Sequence, residues 1–72
     1  MNIFTPPWKW ELRMWYGDKA APEDRGRLCM DLVFSSRHSF DMDLDFARNR
    51  SDIGRIEYRE LNPSSDWVVD WH

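Results

Sequence analysis

Polar and apolar residues alternate strictly along three stretches of the chain. From Trp8 to Met14 the even positions Trp8, Trp10, Leu12 and Met14 are apolar and the odd positions Lys9, Glu11 and Arg13 are charged, before Trp15 places an aromatic on the odd side. From Arg27 to Phe34 the even positions Leu28, Met30, Leu32 and Phe34 are apolar again, and from Phe40 to Phe46 every even residue is apolar and every odd one is Asp. A period of two sends successive side chains to opposite faces of a strand, whereas a helix scatters them around its circumference. The pattern therefore predicts three strands, with Asp41, Asp43 and Asp45 filling one face of the third.

A fourth strand is expected at Gly54 to Leu61, with Ile56 and Tyr58 facing away from Arg55, Glu57 and Arg59. Asp66 to His72 alternates as a strand as well, although Ser64 or Ser65 would also cap one helical turn with Trp67 and Trp71 on a shared side. Turn chemistry separates these segments at Gly17 to Gly26, Ser35 to Ser39, Ala47 to Asp52 and Asn62 to Ser65. Pro6 and Pro7 should hold residues 1–7 as an extended N-terminal arm.

Residues 1–72 thus read as one all-β domain, a small antiparallel meander of four to five strands, strongly curved or barrel-like, with or without a short C-terminal helical turn. Its even face carries nearly all the large apolar residues, Trp8 and Trp10 among them as core, and no long amphipathic helix is legible to cover it. Exposed apolar patches of that size are rare on soluble monomers. Two solutions follow, a roll closed by Trp67 and Trp71 or a homodimer packed face to face.

Length changes the picture by limiting the core. A chain of 72 residues buries roughly 60% of the surface its unfolded form exposes, which leaves one thin core and no second domain. Cys29 is the single cysteine, so no internal disulfide supports the fold. No apolar run approaches a membrane span, and the first residues lack the pattern of a signal peptide, so a cytoplasmic protein is expected. Five Trp, two Tyr and four Phe in a strongly charged chain argue for a folded domain over a disordered one.

Charge adds the one specific feature. The formal net charge is only -3, yet a hairpin of the second and third strands would set Asp31 opposite the row of Asp41, Asp43 and Asp45. Like charges directly opposite cost a few tenths of a kcal/mol up to about 1. Arg13 beside Asp31, and Arg55 and Arg59 beside the aspartates, would offset this through exposed pairs worth roughly 0 to 1 kcal/mol each. The sharper reading makes Asp31, Asp41, Asp43 and Asp45 a recognition surface for a larger protein with a basic groove, with Trp15 as an aromatic anchor.

The expected function is a non-enzymatic protein-binding module, a small acidic inhibitor or adaptor. By analogy of class alone, such chains resemble phage or mobile-element anti-defence proteins that block nucleic-acid-processing complexes. The alternative is a small β-barrel that binds single-stranded nucleic acid through Trp and Arg, but the basic residues are dispersed among carboxylates. No catalytic residue, metal or cofactor is expected. Asp41, Asp43, Asp45, Asn49 and Asp52 have part of the spacing of a calcium loop, with Phe46 where that loop needs Gly. Cys29 on the outer face near Asp45, His38 in a turn and His72 at the terminus make neither a nucleophile-base pair nor a zinc set.

Overall fold

Two of the alternating stretches form strands that pair antiparallel, β1 (Trp10–Tyr16) and β2 (Leu28–Phe34), with Leu12 opposite Leu32 and Met14 opposite Met30. The computed structural model describes residues 8–71, so the expected arm at residues 1–7 and the terminal His72 lie outside the described residues. β3 (Ile53–Glu60) pairs antiparallel with the other side of β1, placing Leu12 opposite Tyr58 and Met14 opposite Ile56. β4 (Val68–Trp71) pairs with β3, so the C-terminal segment is a strand and not a helical turn.

The sheet order is β2-β1-β3-β4, an open antiparallel sheet with β2 and β4 at its edges. The domain is mostly β, as the alternation implies. It is not a meander, because the connection from β2 to β3 crosses over and delivers β3 beside β1. Nor does the sheet close into a roll.

The third alternating stretch is the principal correction. Phe40 to Phe46 lies within α1 (Arg37–Arg48), a helix and not a strand. Ser36 starts it from an extended backbone (φ -111, ψ 129), and its Oγ accepts a hydrogen bond from the Ser39 N–H at 3.4 Å. The segment contains no Val, Ile or Thr, the residues whose branched side chains favour strands. Arg48 in the last turn complements the negative end of the helix.

Helical spacing also explains which side is buried. Phe40, Leu44 and Ala47 fall at i, i+4 and i+7 and pack onto Leu12, Met14, Phe34, Ile53 and Ile56. Phe40 is the centre of this core: it meets Phe34 and Tyr58 edge-on at centroid distances of 5.8 and 5.5 Å and stacks on Trp10 at 6.0 Å. The helix provides the cover that the even face lacks in a pure strand reading. Trp10 is half-buried at the margin of this core rather than inside it, and Trp8, also half-buried, is not part of it.

At the opposite end of β1 the backbones of Gly17 and Gly54 touch. A Cβ on Gly54 would stand 2.5 Å from the Gly17 Cα, so neither position has room for a side chain. The register of β1 against β3 shifts here, between Trp15 opposite Arg55 and Tyr16 opposite Ile53, leaving Gly54 as the extra residue. The two segments stay joined past this point, the Gly17 N–H donating to the Asp52 carbonyl at 2.8 Å.

Candidate functional site

The helix-free face of the sheet carries Glu11, Arg13 and Trp15 of β1 and Arg55, Glu57 and Arg59 of β3, whereas Ile53, beyond the shift at Gly54, belongs to the core. Arg13 lies opposite Asp31, as parity requires, and its Nε donates to Asp31 Oδ2 at 3.1 Å. Glu11 is nearly buried, at 8% exposure, and Arg59 reaches its Oε1 with both Nε and Nη2 at 2.9 Å, while Arg13 Nη2 stands 3.6 Å from Oε2. Arg55 pairs with Glu57. Trp67 lies against the Arg13 and Arg59 guanidiniums, each 4.5 Å from its ring centroid, and Arg55 sits 5.6 Å from that of Trp15. Three cations are thus matched by three carboxylates and interleaved with two indoles.

The acidic residues expected to face Asp31 are elsewhere. Because Phe40 to Phe46 is helical, Asp41, Asp43 and Asp45 leave the sheet and project from α1, while Asp31 and Trp15 stay on the far side of it. Asp41 and Asp45 are exposed one turn apart, and Asp43 is half-buried on the other flank. Asp41 pairs with Arg37 at 2.9 Å; Asp43 and Asp45 make no ion pair among the described residues. The same rotation turns Met42 and Phe46 outward, 60% and 62% exposed, although alternation places them in the core. The signal that would have found them is the Phe40, Leu44, Ala47 stripe behind a serine cap.

Cys29 also departs from its expected place. The register of β2 against β1 shifts between Met14 opposite Met30 and Trp15 opposite Leu28, leaving Cys29 as the extra residue against the core margin instead of the outer face. Its neighbour is Arg50, whose Nη1 stands 3.7 Å from Sγ, and not Asp45. Arg50 grips Asp52 through two hydrogen bonds of 3.0 and 2.7 Å, which hold the Asp52 carboxyl below its usual range. The hydrogen bond with Cys29 pushes the Tyr16 phenol up. His38 lies in the first turn of α1, not in a turn between strands.

No group of three His, Cys, Asp or Glu side chains among the described residues is arranged to hold a metal ion. Among the described residues no helix is long and apolar enough to cross a membrane. Fold and surface together define a small mostly-β domain, an open four-stranded antiparallel sheet with one helix on one face. Compared with known proteins, the chain matches no family model, no curated protein and no solved structure.

Proposed function

We propose that the chain is a non-enzymatic protein-binding module that docks the solvent-facing side of α1 onto a larger protein with a basic surface. The observation that carries this reading is the pair Met42 and Phe46, exposed one helical turn apart and flanked by Asp43 and Asp45, which make no ion pair among the described residues. An apolar pair on a helix is the anchor pattern of helix-in-groove recognition, and the surrounding carboxylates steer encounter with a cationic rim. Asp41, Asp43 and Asp45 remain in the proposed site. Asp31 and Trp15 lie across the sheet from it and leave it.

By analogy of class, the protein acts in the cytoplasm as a small inhibitor or adaptor of a nucleic-acid-processing complex, of the anti-defence kind that phages and mobile elements carry. Affinity capture followed by kinetics on the purified partner tests this. The double reversal Asp43→Lys with Asp45→Lys is expected to slow association about tenfold or more at low salt and to leave the thermal midpoint nearly unchanged. Phe46→Ala should act mainly by speeding dissociation, whereas Asp31→Lys should leave binding intact. Association that is indifferent to the double reversal would overturn the assignment to α1.

One observation favours a second reading. Trp15 and Trp67, with Arg13, Arg55 and Arg59 against them, sit on the uncovered sheet face in the manner of a platform for single-stranded bases. The carboxylate beside each cation makes it the weaker of the two. Quenching of Trp emission by single-stranded DNA that fades with added salt would transfer the function to that face.

A further inference from the structure

We propose a second recognition site, separate from α1, at the end of the open sheet face, where a cavity of about 630 Å³ takes an arginine side chain of a peptide. All three glycines of the chain line it. Gly17 and Gly54 meet backbone to backbone, and Gly26, at φ +80, closes the turn above them, so the floor is bare main chain. Trp15 forms the aromatic wall of the cavity, while the Tyr16 ring packs toward the core and Cys29. Asp18 and Glu57 bring two carboxylates against the single cation of Arg55, and Asp18 makes no ion pair among the described residues.

An aromatic wall with an excess of negative charge selects a cation. The geometry of that selection already exists inside the cavity. Arg55 lays its guanidinium 5.6 Å from the Trp15 centroid with the Glu57 carboxylate on its Nε, which is the arrangement an incoming arginine would adopt. The Arg55 side chain is 52% exposed, so it can swing into solvent and yield the indole and the carboxylate. Arg55 is therefore a placeholder held by the protein itself. The cavity falls in the range of sites for drug-sized ligands, about 300 to 1,000 Å³, which leaves room for the main chain on either side of the arginine and favours a peptide over a free guanidinium.

A nuclear magnetic resonance titration of the full chain with the blocked tripeptide acetyl-Gly-Arg-Gly-amide tests the proposal. Saturable shifts are expected at the Trp15 indole N–H and at the amides of Gly17 and Gly54, and the citrulline counterpart should produce none. Asp18→Asn should weaken binding about threefold, and Arg55→Gln should tighten it by a similar factor, because the placeholder is gone. The double reversal at Asp43 and Asp45 should bind the tripeptide like the native chain, which separates this site from the α1 reading. Equal binding of the citrulline peptide, weaker binding by Arg55→Gln, or no saturable shift at these three residues would each overturn it. Shifts of the same resonances by inorganic phosphate that vanish in Arg55→Gln would also overturn it, by showing an anion site.

Discussion

Phe40→Ala is expected to leave most of the chain unfolded at 25 °C. Removing a fully buried phenylalanine costs about 3 to 5 kcal/mol, and a single core in a domain of this size rarely supplies more than about 3 to 5 kcal/mol in total. Phe40 is 1% exposed and touches Trp10, Phe34 and Tyr58, so its loss opens the interface of α1 with three strands at once. Met42→Ala is the matched control. In a strand these two residues would share a face and cost alike; in α1 Met42 points to solvent, and its truncation should stay within about 0.5 kcal/mol. Urea unfolding followed by circular dichroism measures both, and similar losses would refute the helical assignment.

The second large effect is expected at Glu11. It is the one buried charged residue described, held by Arg59 through two contacts and by Arg13 through one, with Trp67 lying against both guanidiniums. Breaking a fully buried pair costs about 3 to 5 kcal/mol because a charge is left without a partner. Here the Arg59 and Arg13 side chains keep 27% and 36% exposure and can rehydrate, and Arg13 retains Asp31. Glu11→Ala should therefore cost about 2 kcal/mol. Combined with Trp67→Ala in a double-mutant cycle it should be markedly non-additive, since both residues act through the same two arginines. A loss below about 0.5 kcal/mol for the single change would show the cluster to be ornamental to stability.

How much of this was legible follows from what periodicity can carry. Leu12, Met14, Phe34 and Ile56 are assigned to the core by parity alone, and the pairing of Arg13 with Asp31 follows because a register shift of one residue would expose every apolar side chain of the strand. Phe40 to Phe46 defeats the same argument. Residues at i and i+4 have the same parity in a strand and the same side in a helix, so Phe40 and Leu44 satisfy both patterns, and only Ala47, small and beyond the alternation, completes the helical stripe. Three aspartates in a segment without a β-branched residue are the physical counter-signal, because Asp disfavours strands. Sheet order is invisible to alternation, which fixes faces and not neighbours. The cavity is equally hidden, since its floor depends on two glycines brought together only when β3 reaches β1.

That late meeting bears on how the chain assembles. The β1–β2 and β3–β4 pairings join neighbours in sequence, whereas β1 and β3 must find each other across the whole of β2 and α1. Closing a long loop before its contacts form is the slow part of folding for such topologies. Substitutions along the β1–β3 seam, such as Ile56→Val, are expected to slow refolding in a chevron experiment, and changes confined to the β4 edge to speed unfolding instead. β1 is the first element of the described chain, and its second edge stays unpaired until β3 is made, so nascent chain that has emerged only as far as α1 carries an open seam waiting for residues still to be made.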